Sequence, residues 1–443
     1  MLKSFINIFH VPELRKKLAF TCSLLLVYRL GGHVPIPGID RTALAAMMKG
    51  FEGTILGLYD LFAGGFFSQA SIFALGIMPY ISASIIIQLL GSAVPYFQRL
   101  NKEGEEGRKK IIQITRYGTV MISFLQAIGV AVFLANQESL GIGKVVPNVN
   151  ILFYFVTIVT LVTGTVFVMW LGEKISDHGL GNGISLIIMV GILSSAPHVF
   201  NIQLQYLMQG TINPLSVISS ILLIVAITIF VVLVTTAVRK IPVQYAKRVI
   251  GRKVYGGQAT HIPLKILTAG VMPIIFAQAL MFLPNTIGQL FSGSIGNWVI
   301  RIFSPDHWFY ALVLALLIIV FTYFYTAIAF NPVDVSDNMK KQGGFIPGVR
   351  PGKSTADYID NILTKVTLPA AIFLAFVAII PTFLVMLFEM DFALASFYGG
   401  TSLLIIVGVA LDTLQQIESH LITRHYDGFL KAGKIKGRSR KRY

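Results

Sequence analysis

Few residues in this chain have the types and spacing that catalysis needs, and those few depart from known motifs. The segment Gly179-Leu180-Gly181-Asn182 follows the GxGD pattern of membrane-embedded aspartyl proteases, except that Asn stands at the position of the catalytic Asp. No second mid-span Asp is available to share a proton, as a carboxylate pair requires. The segment 348–354, GVRPGKS, is one residue shorter than a phosphate-binding P-loop, and no HExxH zinc motif occurs. The sequence therefore predicts that the chain is not an enzyme and supplies no energy of its own.

Ionisable residues within apolar segments are the other candidates for chemistry. Arg29 lies near the end of the first apolar run, and Asp412 and Glu418 lie in the last one. Pumps and ion-coupled transporters usually carry such residues inside the membrane. Asp412 could be a coupling carboxylate, but a polar contact near the cytoplasmic third of the span is the favoured interpretation. The single cysteine, Cys22, excludes an internal disulfide, and the sequence predicts no cofactor and no metal site.

Long apolar segments must position these residues. Hydrophobic residues make up 55% of the chain and charged residues only 13%, against about 25% charged residues in average soluble proteins. A span needs roughly 20 mostly apolar residues, and the first run lacks the small-residue cleavage site of a signal peptide. We therefore predict an all-α polytopic membrane protein with ten transmembrane helices, at 18–35, 70–92, 117–136, 151–171, 182–199, 214–238, 264–290, 308–330, 366–388 and 400–421.

The distribution of Lys and Arg predicts the orientation of these spans. Of the 36 basic residues, 31 lie in the two tails and in the alternate gaps that follow spans 2, 4, 6 and 8, whereas four lie in gaps on the other side. Because basic residues accumulate on the cytoplasmic side of membrane proteins, both termini are predicted to be cytoplasmic. A nucleic-acid-binding protein would instead need a continuous basic face, so no DNA partner is predicted.

Ten spans divide into two sets of five, and an odd number per set starts the second set from the opposite side of the membrane. This topology permits an inverted repeat with a site near midplane between the halves. We predict an N-terminal half at 1–199, a hinge in the uncharged gap at 200–213 and a C-terminal half at 214–422, followed by a basic cytosolic tail at 423–443.

Two cytosolic gaps, at 239–265 and 331–365, are basic and longer than the topology requires. They are either solvated loops or docking surfaces for ribosomal RNA or an acidic protein, because long ordered loops are usually functional.

Proline or glycine breaks interrupt three spans, and each break lies beside isoleucines. Proline removes a helix hydrogen bond, and broken helices at membrane depth are tolerated where they line a cavity. Such isoleucines could simply pack or face lipid, or they could meet at midplane as a dry constriction that excludes ions and yields to a passing chain. The breaks with their isoleucines are Pro79 with Ile77 and Ile81, Gly181–Gly183 with Ile184 and Ile188, and Pro273 with Ile275.

The segment 53–67, GTILGLYDLFAGGFF, is strongly apolar but too short to span the membrane. It lies in the outward-facing gap after span 1, where an apolar stretch cannot stay in water. We expect it to fold back into the outer side of the bundle as a short helix. From the residues alone, it either only packs there or has a function of its own.

Several motifs resemble those of one family. The run 70–88, ASIFALGIMPYISASIIIQ, is similar to the second-span signature of the SecY/Sec61-alpha family, the central pore subunits of protein translocases. The resemblance extends from span 1 to span 10, with PIPGI at 35–39, GLGNGIS at 179–185, FIPGVRPG at 345–352 and GGTSLLI at 399–405. It implies a passive protein-conducting channel of the bacterial plasma membrane, with an hourglass pore between two five-span halves and a lateral gate between spans 2–3 and 7–8. A secondary transporter of a small solute is the alternative.

The resemblance also implies a pore ring and a plug. The ring would comprise Ile77, Ile81, Ile184, Ile188, Ile275 and Ile405. The plug would comprise residues 54–66, namely Thr54, Ile55, Leu56, Gly57, Leu58, Tyr59, Asp60, Leu61, Phe62, Ala63, Gly64, Gly65 and Phe66.

The remaining implied roles concern the gate and the partners. Ser82 and Gln88 would lie near the polar part of the lateral gate, and Arg350, Arg252 and Lys253 would dock the motor or the ribosome. Related chains often carry Arg at the position of Lys253. Lysine keeps the positive charge there but lacks the planar guanidinium of arginine. The implied partners are the SecA ATPase, the ribosome, the SecE and SecG subunits, signal sequences, nascent chains and membrane lipid.

Overall fold

The computed structural model of the chain describes residues 11–49, 55–136, 138–139, 143–210, 214–245, 248–250, 253–255, 259–290, 294–304, 307–388, 395–397 and 399–432. Its helices are α1 (Pro12–Gly31), α2 (Arg41–Lys49), α3 (Ile55–Ala63), α4 (Met78–Ala93), α5 (Pro95–Lys102), α6 (Glu105–Ala135), α7 (Ile151–His178), α8 (Gly183–Met208), α9 (Pro214–Thr236), α10 (Met272–Leu290), α11 (Ser294–Ile302), α12 (Trp308–Ala329), α13 (Pro332–Lys341), α14 (Lys353–Phe388) and α15 (Gly400–Ala432). Its strands are β1 (Glu138–Ser139), β2 (Gly143–Lys144), β3 (Val238–Tyr245), β4 (Arg248–Ile250), β5 (Lys253–Tyr255), β6 (Ala259–Lys265) and β7 (Gly344–Phe345).

Each predicted span coincides with one helix, in the order α1, α4, α6, α7, α8, α9, α10, α12, α14 and α15. Within the described ranges, six helical segments are long and apolar enough to cross a membrane. The pair α4 and α5 passes the same test together, with a bend of 95° between them, and two shorter apolar helices lie at 221–236 and 272–282. The prediction of a mostly helical polytopic membrane protein is confirmed.

Two prolines begin helices rather than interrupt them. We expected Pro79 to break a helix within span 2, but residues 72–77 form turns and α4 begins at Met78, with Pro79 in its first turn. Pro273 holds the same place in α10, after turns at 266–271. Proline is well suited to this position because a first-turn residue needs no N–H partner within the helix. Spans 2 and 7 therefore begin in turns and continue as helix.

The same order of helix packing occurs in both sets of five spans. In the first set α4 packs on α6, α6 on α7, α7 on α8 and α8 on α1; in the second set α10 packs on α12, α12 on α14, α14 on α15 and α15 on α9. Contacts between the sets join α8 to α15 and to α9, and join α3, α4 and α6 to α10.

The two basic cytosolic gaps contain strands that the sequence analysis did not predict. β3 pairs antiparallel with β6 along its whole length, β7 pairs with the end of β3, and β4 and β5 form a separate hairpin. A small hydrophobic core lies against this sheet and is formed by Ile241, Val243, Leu264, Met339, Ile346 and Ile359. The chain is therefore mostly helical with a cytosolic sheet, and the two gaps fold together.

Two segments differ in extent from the sequence analysis. α8 continues to Met208, so most of the predicted hinge at 200–213 is helical. α14 begins at Lys353, before the apolar segment that starts at 366, because its first turns carry charged residues that a hydropathy criterion rejects.

Candidate pore, plug and lateral gate

The start of α4 positions Ile77 and Ile81. Ile77 immediately precedes the helix, and the Ile81 N–H donates to the Ile77 carbonyl at 3.2 Å. Gly76 precedes both with a φ of +56°, a region that residues with a side chain rarely adopt. This turn directs the chain into α4 with both isoleucines buried.

A capped helix start positions Ile184 and Ile188. The Asn182 side chain caps α8 by accepting from the Ile184 N–H at 3.1 Å. Gly183 lies so close to α7 that a Cβ there would be 2.1 Å from the Gly172 carbonyl oxygen. The first turn of α8 is therefore held against α7, with Ile188 buried and Ile184 partly buried.

In the second set of spans, Ile275 lies in the first turn of α10 and Ile405 near the start of α15. The residue before α10 packs closely on α15, because a Cβ on Gly408 would be 2.0 Å from Val271 Cγ1. Ile275 is buried, and Ile405 is fully buried.

All six isoleucines join one hydrophobic cluster that draws on both sets of spans. Five of them are buried in it, and Ile184 packs against it. Phe62 and Phe66 of the segment 54–66 belong to the same cluster. An apolar cluster of this kind offers neither charge nor hydrogen bonds to water and ions.

Helix α3 inserts aromatic residues into this cluster. The rings of Tyr59 and Phe62 contact Phe282 of α10, with centroid distances of 5.4 and 6.2 Å. The Tyr59 hydroxyl donates to the Leu75 carbonyl at 2.9 Å, and α3 also packs on α8. The expectation that this apolar segment folds back into the bundle as a short helix is confirmed.

Asp60 closes the turn that follows α3. Its Oδ1 accepts from the N–H groups of Phe67 at 2.9 Å and Ser68 at 3.1 Å, and its carbonyl accepts from the Gly65 N–H at 2.8 Å. These bonds satisfy a polar side chain that would otherwise be costly inside an apolar bundle. They also return the chain sharply towards α4.

The helices assigned to the lateral gate are in contact. α4 and α6 both pack on α10, which joins the two sets of spans along this side. Ser82 is buried on α4, whereas the Gln88 Nε2 donates to Ser84 of the same helix at 3.0 Å. Ser82 is therefore the more buried of the two polar residues predicted here.

A second polar contact at this side was not identified from the sequence. Gln278 Nε2 of α10 donates to the Tyr310 hydroxyl of α12 at 3.3 Å, and both residues are buried. The signal that could have found it is a Gln within an apolar span, which is costly in the membrane unless it has a polar partner.

A cavity of about 400 Å³ adjoins the cluster between the starts of α8 and α10 and the middle of α15. Its polar lining residues are Asn182, Ser185, Lys265, Thr268, Tyr325, Asp412, Thr413, Gln415, Gln416 and Ser419. The Gly181 N–H donates to Gln416 Oε1 at 3.0 Å, and Lys265 donates to Gln415. Asp412 therefore faces a polar cavity.

The comparisons with known proteins agree on one family. A SecY family model matches residues 71–414. The protein translocase subunit SecY of Escherichia coli K12 is 45% identical over 432 residues, which cover 97% of this chain and 96% of that protein. The chain belongs to the SecY family.

Two solved structures share the fold over 92% of this chain and 92% of their own. One is described as showing that the plug domain of SecY stabilises the closed state and maintains a membrane seal, with a TM-score of 0.62 and 18% identity. The other is Sec61 in the canine ribosome-channel complex from the endoplasmic reticulum, with a TM-score of 0.60 and 17% identity.

The family decides between the functions that the sequence left open. The chain is a bacterial multi-pass membrane protein and a protein-conducting translocation channel, which is a pore and not an enzyme. The interpretations as a small-solute transporter and as an intramembrane protease are therefore set aside.

Two of the three residues assigned to docking, Arg350 and Lys253, lie in the described parts of the two basic gaps. Arg350 is exposed on the turn between β7 and α14, where the Thr355 hydroxyl donates to the Arg350 carbonyl at 2.9 Å. Lys253 begins β5, next to the tip of the β4–β5 hairpin. Arg252 and Thr54, which were assigned to docking and to the plug, lie outside the described residues.

Proposed function

We propose that this channel conducts unfolded polypeptides passively through the hydrophobic cluster, and that the six isoleucines named above form its constriction. The convergence of these residues, from both sets of spans, in one cluster carries the proposal. An apolar constriction blocks ions and water at rest and yields to a passing chain. It makes no sequence-specific contact, which suits a channel that must pass many different chains.

Residues 54–66 are the plug in this proposal. Their support is the insertion of Tyr59, Phe62 and Phe66 into the cluster, beside the isoleucines that they would cover. The SecY structure with which the chain shares its fold is described as having a plug domain that maintains a membrane seal. Displacement of the plug and widening of the ring would together open the path.

The two halves, 1–199 and 214–422, would move apart about the segment 200–213. The repeated order of helix packing in the two sets of spans supports this division. Because the contacts of α4 and α6 with α10 join the halves along one side, their separation would open a lateral gate to lipid. Signal sequences that bind there would favour the open state, since a ligand shifts an equilibrium towards the state it binds better.

Partners would supply the work and complete the complex. The Escherichia coli relative is a translocase subunit, and the canine Sec61 belongs to a ribosome-channel complex. By extension, SecA with ATP would drive secreted chains through this channel, the ribosome would deliver membrane proteins, and SecE and SecG would be its companion subunits in the bacterial plasma membrane. The exposed Arg350, together with Arg252 and Lys253 of the first basic gap, would form the docking surface.

A crosslink tests the path directly. In a chain whose Cys22 is replaced by Ser, a single Cys at Ile275 should form a disulfide with a mid-chain Cys of a secretory precursor stalled during SecA-driven transport. The control places the Cys instead at Ile372 of α14, which is 52% exposed and faces away from the cluster. Crosslinking at 275 and not at 372 would support the pore. No crosslink from any of the six isoleucine positions would refute it.

A further inference from the structure

Three side chains of the first half converge on two carbonyls at the C-terminal end of the plug segment. The Tyr28 hydroxyl donates to the Ala63 carbonyl at 3.4 Å, and Arg29 Nη1 donates to the Gly64 carbonyl at 3.1 Å. The Ser194 hydroxyl donates mainly to the Gly191 carbonyl of its own helix, at 2.6 Å, and lies 3.4 Å from the Gly64 carbonyl, to which it makes a weaker, shared contact. Tyr28 and Arg29 belong to α1 and Ser194 belongs to α8.

Arg29 is the charged member of this group. Besides its bond to Gly64, its guanidinium lies over the Phe66 ring, with Cζ 4.8 Å from the ring centroid. A charged donor makes stronger hydrogen bonds than a neutral one, and a cation over an aromatic face adds further attraction. An arginine within an apolar span is costly unless such partners satisfy it. Here the partners of Arg29 are plug residues.

The backbone conformation at residues 64 and 65 presents the Gly64 carbonyl to Arg29. Gly64 and Gly65 have φ values of +79° and +78°, which favour glycine. A Cβ on Gly64 would lie 3.0 Å from both Arg29 Nη1 and Gly191 Cα. The bond between Arg29 and the Gly64 carbonyl therefore depends on the absence of a side chain at residue 64.

The plug contacts the second half in a different way. Tyr59 and Phe62 meet Phe282 of α10 through ring-edge contacts, at interplanar angles of 88° and 77°. Edge-to-face aromatic contacts add a modest attraction beyond area burial and have no charged component. The plug is thus bonded to the first half through polar groups and packed on the second half through aromatic rings.

We infer that Arg29 is a positioning residue that anchors the C-terminal end of the plug to the first half, assisted by Tyr28 and Ser194. When the halves separate, the plug loses Phe282 while Gly64 stays bonded to Arg29. The plug then swings about this anchor and returns to the same place on closure. The inference rests on the proposed function of residues 54–66 as the seal.

The test measures resting ion conductance of the complete translocase in planar lipid bilayers, without precursor. Arg29→Met removes the charged donor while keeping an unbranched apolar side chain. We expect the resting conductance to rise about tenfold, as the loss of one charge-assisted hydrogen bond shifts a two-state equilibrium. Arg29→Lys, which keeps the charge but loses the planar group over Phe66, should give an intermediate rise.

Arg41→Met is the matched control. Arg41 is an exposed arginine whose Nη2 donates to the His33 carbonyl at 2.6 Å, so it too bonds a backbone carbonyl but not the plug. Its replacement should leave the resting conductance at the parent value.

A deletion of residues 55–63 separates this inference from the proposed plug function. If Arg29 acts through the plug, Arg29→Met should add nothing to the conductance of the deletion variant, because coupled changes are not additive. If the deletion raises the resting conductance but Arg29→Met leaves it at the parent value, the anchoring role of Arg29 is refuted while the plug function of residues 54–66 is supported. A further rise on the deletion background would also refute the anchoring role. A deletion that leaves the conductance unchanged would refute the plug and the anchor together.

A second variant covers the case in which Arg29→Met fails to assemble. The pair Tyr28→Phe and Ser194→Ala removes the two neutral donors with little change in volume. This pair should raise the resting conductance by a smaller factor, and it should likewise add nothing to the deletion. A pair variant with parent conductance would count against the anchor.

Discussion

At the scale of the residue, the proposed seal would depend on side chains that carry no polar group. Five of the six isoleucines are buried in the apolar cluster and Ile184 packs against it, while the polar residues Asn182, Lys265 and Gln416 line the adjoining cavity. Water and ions can reach a polar cavity at little cost, but they lose their hydrogen bonds in the apolar constriction. Removing apolar volume from the constriction should therefore raise the resting ion conductance before it lowers the transport of a precursor.

Replacement of Ile275 by Gly tests this at the residue scale. The change removes the side chain from the first turn of α10, so we expect a several-fold rise in resting ion conductance while SecA-driven transport of a precursor continues. Ile372→Gly is the matched control, because it carries the same helix cost of about 1 kcal/mol at an exposed position of α14. Equal conductances in the two variants would contradict the assignment of Ile275 to the constriction.

At the scale of the element, close backbone contacts place the helix starts. A Cβ on Gly164 of α7 would be 2.0 Å from the Ile72 carbonyl oxygen, within the turns that lead into α4. Gly183 makes a similar backbone contact for α8, whereas Gly408 of α15 makes room for the Val271 side chain. Small residues at helix contacts let backbones approach in membranes, where packing rather than the hydrophobic effect drives association.

Gly164→Ala should destabilise the fold, because the neighbour of the new methyl group is a backbone carbonyl that cannot rotate away. We expect a loss of roughly 1–3 kcal/mol, typical of overpacking, measured as a lower midpoint of thermal unfolding in detergent. Gly118→Ala on α6 is the matched control, since its Cβ would meet only the Ala83 Cβ, at 3.5 Å. If the two variants unfold at the same midpoint temperature, α7 can move away from the Ile72 carbonyl without loss of stability.

At the scale of the whole molecule, the residues proposed for docking and those proposed for sealing lie in separate places. Arg350 lies in the cytosolic unit built on β3, β6 and β7, whereas the six isoleucines lie in the cluster formed by the spans. The unit connects to the spans directly, because β3 follows α9, β6 precedes the turns before α10, and α14 begins within it. A motor bound there could act on the second half of the channel without touching the seal.

Arg350→Glu should therefore lower SecA-driven transport of a secretory precursor by at least about tenfold, because it reverses one interfacial charge. It should leave the resting ion conductance unchanged. Lys353→Glu is the control, since Lys353 is an exposed cation in the same gap and undergoes the same charge change. A similar loss in both variants would indicate a general charge effect. A rise in the conductance of Arg350→Glu would indicate that the docking unit also holds the seal.

The sequence by itself determined the order of the apolar segments, the apolar fold-back segment and the family, and it predicts ten spans and their orientation. These properties follow from local composition: a run of about 20 apolar residues predicts a span wherever it occurs, and the distribution of basic residues predicts the cytoplasmic side. The motif at 70–88 carried the family, and with it the assignment of the isoleucines that the structure then gathers in one cluster.

Only the tertiary structure decided what depends on partners far away in the chain. The structure pairs β3 with β6 and β7, begins α14 at Lys353 and brings Gln278 into contact with Tyr310. The local sequence at these places predicts none of these features. Arg29 is the clearest case, because an arginine in a span predicts only that a partner must exist. The Gly64 carbonyl becomes that partner once the chain between them has folded back into the bundle.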